Sequence, residues 1–206
     1  MSDRLGLYGG SFNPIHHGHL IAARAMAEQL GLRQVILIPS AEPPHKRGGD
    51  LESAADRLEM TRLAVAGDPL FAVSDVELRR DGPSYTLDTV VQLQAELGPS
   101  ARFCWIIGAD SLPELASWSR IERLVEAVEI VTAARPGFRP ETLDLSALRS
   151  KIGAASTDRL VQACRETPEI GISASDIRRR VRAGTSIRYL VPEAVERFVR
   201  ERGLYR

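Results

Sequence analysis

Apolar residues along the chain occur in two alternating patterns: short continuous runs and longer stretches with a helical period. The runs predict strands at residues 5–8, 35–38, 103–107 and 129–133. Residues 71–78 alternate between apolar and polar, as a half-buried strand does. Helical spacing predicts helices over residues 19–30, 53–66, 85–97, 121–127, 143–152, 174–183 and 192–202. Gly31 and Gly98 follow two of these helices, and we expect them to end the helices.

Strands that alternate with helices favour one architecture. Right-handed βαβ units place parallel strands side by side and cover both faces of the sheet with helices. The sequence therefore predicts an α/β fold, a Rossmann-like doubly wound parallel sheet, with a helical C-terminal segment over about residues 173–206. Ligands in such sheets bind beyond the carboxyl ends of the strands, where the strand order reverses. We therefore expect the chemistry directly after the strands, with Gly9 and Gly108 together at that edge.

Composition and charge narrow the class of protein. The 206 residues suit one domain, and we expect residues 1–206 to form it. Basic and acidic residues number 27 each, so neither nucleic acid nor a membrane surface is an expected partner. We expect a cytoplasmic location, because the first residues lack an apolar signal segment and no apolar run approaches ~20 residues. Cys104 and Cys164 have no spacing typical of metal ligands or a disulfide framework. Nothing in the pattern predicts an oligomeric state.

Residues 9–19, GGSFNPIHHGH, follow the first strand and have the character of a phosphate site. The glycines allow close approach of the backbone to a ligand, and the N-terminus of the following helix favours an anion. His16 and His19 are able to donate hydrogen bonds to phosphate oxygens as charge moves to a leaving pyrophosphate. Three imidazoles in four residues also suggest zinc, but no carboxylate or cysteine has suitable spacing, so we assign no metal ligand. The glycine spacing matches neither GxGxxG nor GxxxxGK[ST].

This segment resembles the signature of the HxGH nucleotidylyltransferase superfamily, which transfers AMP or CMP to phosphates. Four further segments are similar to bacterial nicotinate mononucleotide adenylyltransferases: residues 39–46 (PSAEPPHK), 84–89 (SYTLDT), 107–118 (IGADSLPELASW) and 172–178 (ISASDIR). The resemblance covers nearly the whole chain, although residues 136–167 add little. Ser11 and Asn13 replace a Thr and an Asp of the family, and Ala174 and Ser175 depart from its ISSTxIR form. Because Asn13 carries no charge, it receives no acid–base role.

The resemblance implies that the phosphate of nicotinate mononucleotide attacks the α-phosphorus of ATP and expels pyrophosphate. It implies catalytic roles for His16, His19, Lys46 and Arg178. It implies ATP binding by Gly9, Gly10, Ser11, Phe12, Gly18, Gly108, Asp110, Ser173 and Ser175. It implies mononucleotide binding by Tyr85, Thr86, Trp118 and Arg135. Mg²⁺ is the expected cofactor, held mainly by the ATP phosphates and water.

Two other kinds of function stay open. The first is a sister adenylyltransferase that acts on nicotinamide mononucleotide or phosphopantetheine. The shorter pantetheine enzymes lack the segments around residues 84–89 and Trp118, whereas nicotinamide differs from nicotinate by only one charge on the pyridine substituent. The second is a nucleotide-binding regulator without turnover, which the intact HxGH segment and the set of cationic residues oppose.

Three local features are also expected. Ser84 or Thr86 is a candidate cap for the helix over residues 85–97, and Ser173 or Ser175 for the helix over 174–183. His17 occupies the variable position between the two motif histidines, so its side chain should point away from the phosphates. The ring of Trp118 should lie near the pocket and offer a flat apolar face.

Overall fold

The computed structural model describes residues 4–43, 51–134 and 137–206. Its strands are β1 Arg4–Gly10, β2 Gln34–Pro39, β3 Phe71–Val73, β4 Arg102–Gly108, β5 Glu129–Ala134 and β6 Cys164–Glu166. Its helices are α1 His17–Leu30, α2 Ala54–Val65, α3 Thr86–Leu97, α4 Ile121–Ala127, α5 Ser146–Gln162, α6 Ala174–Arg182 and α7 Glu193–Arg202. In this part of the chain, no helix combines the length and apolar character needed to cross a membrane.

All six strands lie in one sheet, in the order β3-β2-β1-β4-β5-β6, and every neighbouring pair is parallel. The predicted α/β fold with a parallel sheet is therefore confirmed. The chain order reverses between β1 and β4, which is the position where doubly wound sheets bind ligands. Gly10 ends β1 and Gly108 ends β4, so the glycine-rich ends of both strands lie at the same carboxyl edge.

The sheet separates two apolar cores, because successive side chains of a strand point to opposite faces. In β2, Val35 and Leu37 belong to one core, while Ile36 and Ile38 belong to the other. The first core packs against α1, α2, α6 and α7, and the second against α3, α4 and α5. The continuous apolar run of β2 is thus explained by burial on both faces.

Helix ends follow local chemistry that the sequence largely predicts. Gly31 follows α1 with φ +60° and Gly98 follows α3 with φ +85°, and both backbone N–H groups donate to helical carbonyls. Because glycine has no Cβ, it adopts a positive φ at little cost. Ser53 caps α2, because its hydroxyl accepts a hydrogen bond from the backbone N–H of Asp56 at 3.0 Å.

Three elements differ from the sequence-based prediction. The strand predicted over residues 71–78 stops after Val73, because Ser74 and Asp75 form a turn: the Ser74 hydroxyl accepts from Val76 N and the Asp75 carbonyl from Leu78 N. The helix predicted over residues 143–152 is α5, which begins later, extends to Gln162 and is interrupted at Gly153. The three-residue strand β6 was not predicted at all.

Candidate active site at the strand switch point

A cleft of about 1320 Å³ opens at the carboxyl edge of β1 and β4. It is larger than the range of about 300–1,000 Å³ that is typical of a small-ligand pocket. The sequence-predicted residues that line it are His16, His19, Arg178, Gly9, Gly10, Ser11, Phe12, Gly18, Gly108, Asp110, Ser173 and Ser175. The structure thus brings together all predicted ATP-binding residues and the three catalytic candidates that lie in its described part.

We call residues 9–16, which lead from the end of β1 to the start of α1, the phosphate loop. Two cleft glycines outside it, Gly18 and Gly108, leave space for polar side chains. A Cβ atom on Gly18 would lie 3.0 Å from Nδ1 of His16. A Cβ atom on Gly108 would lie 2.5 Å from Oδ1 of Asp110, closer than any real Cβ contact. A larger residue at either position would therefore displace the side chain of His16 or Asp110.

His16 and His19 form a stacked pair at the start of α1. Their ring centroids lie 3.7 Å apart with an interplanar angle of 25°. The backbone N–H of His16 donates to Nδ1 of His19 at 3.2 Å, so the ring proton of neutral His19 is on Nε2. The edge-on ring of Phe12, 5.2 Å from His19, packs against the same imidazole. His19 is thereby held in one orientation and one tautomer.

Burial determines the charge of His16. Its side chain is 6% exposed, and this desolvation, with a smaller contribution from His17, lowers its pKa to about 4. His16 is therefore neutral at neutral pH and acts as a hydrogen-bond donor or acceptor. Its Nδ1 is buried and makes no hydrogen bond to the described residues.

Arg178 approaches the phosphate loop from α6. Its Nη1 donates to the Asn13 carbonyl at 2.9 Å and its Nη2 to the Ser175 hydroxyl at 3.3 Å, while its buried Nε has no partner within the described residues. Asn13 is 4% exposed, and its Oδ1 accepts from the Tyr205 hydroxyl at 2.9 Å and from Glu52 N at 3.2 Å. Asn13 is thus a structural anchor of the loop, in keeping with its lack of charge.

Helix α6 begins at the cleft and is capped as predicted. Ser173 is its N-cap, and the Ser173 hydroxyl accepts from Asp176 N at 3.1 Å. The neighbouring Ser175 hydroxyl accepts from Arg178. The free N–H groups at this helix start add a second positive dipole end to that of α1.

The predicted mononucleotide residues Tyr85, Thr86 and Trp118 do not line the described cleft. They lie at the start of α3 and before α4, and Arg120 connects the two places. Its Nη2 contacts the Asp88 carboxylate at 2.7 Å, and its guanidinium carbon lies 6.0 Å from the Tyr85 ring centroid. We call this group, from Tyr85 to Asp88 with Trp118 and Arg120, the Tyr85 cluster.

The expectation that Ser84 or Thr86 caps α3 was wrong. Tyr85 is the N-cap and makes no side-chain cap hydrogen bond, while Thr86 is the first helical residue. The Ser84 hydroxyl instead accepts from the backbone N–H groups of Ala41 and Glu42, at 3.0 and 3.2 Å. Ser84 therefore ties the start of α3 to the loop after β2.

Other predicted positions fall away from the cleft or outside the described residues. His17 is half-buried and does not line the described cleft, and its backbone N–H donates to the Leu190 carbonyl at 3.1 Å. Lys46 and Arg135 lie outside the described residues. Among the residues that are described, no three His, Cys, Asp or Glu side chains gather as a metal site, and Asp110 is the one acidic side chain that lines the cleft.

Tyr8 lines the cleft but was not predicted. Its ring packs edge-on against Phe12 and His19, with centroids 5.7 and 6.3 Å away. Burial, with a contribution from the Asp110 carboxylate, raises the pKa of Tyr8 to about 12, so its hydroxyl stays protonated and able to donate. In the sequence, Tyr8 could have been found from its position as the last large residue before Gly9.

Comparison with known proteins agrees with this geometry. The sequence model of the cytidylyltransferase-like family matches residues 7–180. The chain belongs to this family. The cytidylyltransferase-like chain is 41% identical over 203 residues to a protein of Moorella thermoacetica, covering 98% of this chain and 92% of that one. It is 43% identical over 203 residues to a protein of Thermus thermophilus, covering 98% and 100%. Both relatives are named probable nicotinate-nucleotide adenylyltransferases.

Solved structures show the same fold for this cytidylyltransferase-like chain at lower sequence identity. The nicotinic acid mononucleotide adenylyltransferase of Plasmodium falciparum, complexed with NaAD, has a TM-score of 0.74 at 18% identity and covers 98% of this chain and 97% of its own. A putative nicotinate-nucleotide adenylyltransferase of Vibrio parahaemolyticus has a TM-score of 0.67 at 19% identity and covers 98% and 95%.

Proposed function

We propose that this protein transfers AMP from ATP to nicotinate mononucleotide, forming nicotinate adenine dinucleotide and pyrophosphate on the route to NAD. The observation that carries the proposal is the convergence of the phosphate loop, the Gly108–Asp110 turn and the start of α6 on one cleft. The names of the relatives, which align over nearly the whole chain, supply the substrate.

The reaction needs positioning more than acid–base chemistry. A phosphate oxygen of the mononucleotide attacks the α-phosphorus of ATP, one P–O bond forms, and the bond to pyrophosphate breaks. The acceptor phosphate is already a nucleophile, so no protein nucleophile is required. His19 Nε2–H, His16 and the free N–H groups of α1 stabilise the charge that moves to pyrophosphate. Arg178, which lines the cleft, and Lys46 add donors to the phosphates.

The residues of the cleft are compatible with Mg²⁺ carried by ATP. Mg²⁺ is usually bound by one or two carboxylates together with substrate phosphates and waters, and Asp110 is the single carboxylate described in the cleft. When bound, the ion neutralises phosphate charge. Ser173 and Ser175 contribute hydroxyls to the ATP side, and the Tyr85 cluster with Arg135 forms the mononucleotide side.

The proposed partners are ATP and nicotinate mononucleotide. We expect one nucleotidylyltransferase domain over residues 1–206 and a cytoplasmic location. A sister activity on nicotinamide mononucleotide, or on another phosphorylated acceptor, is the alternative enzyme. A nucleotide-binding regulator is the alternative without turnover. All three are separated by one assay of pyrophosphate release.

The assay supplies ATP and Mg²⁺ with a panel of phosphorylated acceptors. A buried site built for a carboxylate leaves polar groups unpaired when it binds the amide, at about 1–3 kcal/mol each. We therefore expect nicotinate mononucleotide to have a kcat/KM at least about tenfold above that of nicotinamide mononucleotide. A ratio near one, or a preference for the amide, rejects the nicotinate assignment. ATP binding without pyrophosphate release from any acceptor favours the regulator.

A further inference from the structure

Arg57 of α2 is fully buried, with 0% of its surface exposed. Arginine is rarely buried completely unless its charge is matched. Here its guanidinium group donates three hydrogen bonds to backbone carbonyls: Nη1 to Ser11 at 2.8 Å, Nε to Glu52 at 2.9 Å and Nη2 to Ala41 at 3.1 Å. The planar fork of arginine suits such a set of acceptors, whereas the single ammonium of lysine does not.

The three carbonyls come from three separate segments. Ser11 belongs to the phosphate loop and lines the cleft, Ala41 follows β2, and Glu52 precedes α2. Arg57 itself does not line the described cleft. Its effect on a substrate must therefore pass through the backbone of these segments.

A second set of hydrogen bonds continues from Ala41 to the other side of the site. The Ser84 hydroxyl accepts from Ala41 N and Glu42 N, and Ser84 N donates to the Glu42 carbonyl at 3.0 Å. Ser84 directly precedes Tyr85 in the chain. A continuous path of hydrogen bonds thus leads from Ser11 through Arg57 and the loop after β2 to the Tyr85 cluster.

We propose that Arg57 is a positioning residue that fixes the phosphate loop relative to the Tyr85 cluster, acting through the backbone of Ser11 and Ala41. The inference rests on the proposed function, in which these two sides hold ATP and the mononucleotide. In-line transfer requires the attacking oxygen and the α-phosphorus to be held in close contact, and a misplacement of about 1 Å costs about 10²-fold in rate. A residue that sets this separation governs kcat more than the KM of either substrate.

The test compares the kinetics of Arg57→Lys with those of the wild-type enzyme, using pyrophosphate release from ATP and nicotinate mononucleotide. Lysine keeps the positive charge but loses the three-way fork. We expect kcat to fall by about 10²-fold, while the KM values for both substrates change by less than about threefold. Circular dichroism at the assay temperature shows that the variant is folded.

The matched control is Arg62→Lys on the same helix. Arg62 has a half-exposed side chain that lies 3.8 Å from the Asp75 carboxylate, so its replacement tests a general effect of altering α2. Its kcat should stay within about twofold of the wild-type value, because Arg62 does not line the described cleft. An exposed ion pair of this kind contributes at most about 1 kcal/mol to stability. A merely structural role of Arg57 would lower the melting temperature and leave kcat of the folded enzyme unchanged.

A second variant, Ser84→Ala, breaks the other link without introducing a buried change. We expect the same result as for Arg57→Lys, a loss in kcat with nearly constant KM values. In the double variant Arg57→Lys, Ser84→Ala, the loss in kcat should be smaller than the product of the two single losses. Arg57→Lys with a kcat within about threefold of wild type overturns the inference, as does a loss confined to KM. If Arg57→Lys does not fold, an unchanged kcat in Ser84→Ala overturns it. Failure of the proposed function is a separate result, because the wild-type enzyme would then release no pyrophosphate.

Discussion

The two sides of the site are built differently. The phosphate loop is fixed by contacts with other parts of the chain: His16 stacks on His19, and Asn13 accepts hydrogen bonds from Tyr205 and Glu52. In the Tyr85 cluster, Arg120 and Asp88 form an ion pair whose side chains are 41% and 42% exposed. Exposed ion pairs contribute about 0–1 kcal/mol, so this contact holds its residues more weakly than the buried contacts of the phosphate loop do.

This contrast suits the two sides to different functions, stabilisation of charge and recognition of the acceptor. A side that is rigid before the substrate arrives needs no reorganisation during reaction, which favours stabilisation of moving charge. A side held by exposed contacts is able to adjust to a ligand, which favours recognition of the acceptor ring. Changes in the phosphate loop should therefore reduce turnover, and changes in the Tyr85 cluster should alter the binding of the mononucleotide.

The largest effect is expected for His19→Ala. The variant removes the Nε2–H donor that the bond from His16 N orients. Loss of one preorganised donor typically costs about 10²–10³ in kcat. Turnover is measured by pyrophosphate release and folding by circular dichroism. Near-normal turnover in the folded variant would show that the rigid side does not stabilise the moving charge through this residue.

The next largest effect concerns the pH dependence of stability. The pKa of His16 falls from 6.5 to about 4 in the folded protein, mainly through burial. Between these values the unfolded chain binds a proton that the folded chain does not, so stability decreases as the pH drops from about 6.5 to about 4. Each pKa unit corresponds to about 1.4 kcal/mol, so His16 contributes up to about 2 kcal/mol to the loss between pH 7 and pH 5.

His16→Gln removes this titration. We therefore expect its free energy of unfolding in urea to decrease less between pH 7 and pH 5 than that of the wild-type protein, by up to about 2 kcal/mol. Equal pH dependence in the two proteins would show that His16 is not buried in its neutral form. The buried, rigid character of the phosphate loop would then lose its clearest support.

The sequence predicts the phosphate loop better than the Tyr85 cluster for a physical reason. The loop is a contiguous segment, so its glycines and histidines are read together, and parallel strands bring Gly108 to the same edge. The contact of Arg120 with Asp88 joins residues 32 positions apart. Such pairings depend on how helices pack, which no local pattern specifies.

Side-chain burial and short elements were the other sources of error. Arg57 looks in the sequence like an ordinary charged position on a helix, because only the fold brings the carbonyls of Ser11 and Ala41 around it. The strand Cys164–Glu166, which lies at the edge of the described sheet beside β5, is three residues long and is therefore too short for a periodic signal. Ser84 has the residue type of a helix cap, yet nearby backbone N–H groups of another loop bind its hydroxyl.

A smaller effect, confined to one substrate, is expected for Trp118→Ala. Trp118 is half-buried and packs against the second apolar core, so the protein does not enclose this side chain completely. Stacking of aromatic rings contributes about 0.5–1.5 kcal/mol beyond burial, which corresponds to a rise of about 2–13-fold in the KM for nicotinate mononucleotide. The KM for ATP should not change, and Trp118→Phe, which keeps an aromatic face, should restore most of the binding. Equal changes in both KM values would mean that the Tyr85 cluster is not specific to the acceptor.

The smallest effect is expected for His17→Ala, two residues before His19. The half-buried His17 does not line the described cleft, and its contact with the Leu190 carbonyl is made by the backbone N–H, which alanine retains. We therefore expect kcat/KM to remain within about twofold of the wild-type value, against the loss of about 10²–10³ for His19→Ala. Elemental analysis of both proteins completes the comparison. A bound metal ion that disappears in His17→Ala would instead favour a metal site at these histidines. The direction of the two side chains would then not explain why the activities of His17→Ala and His19→Ala differ.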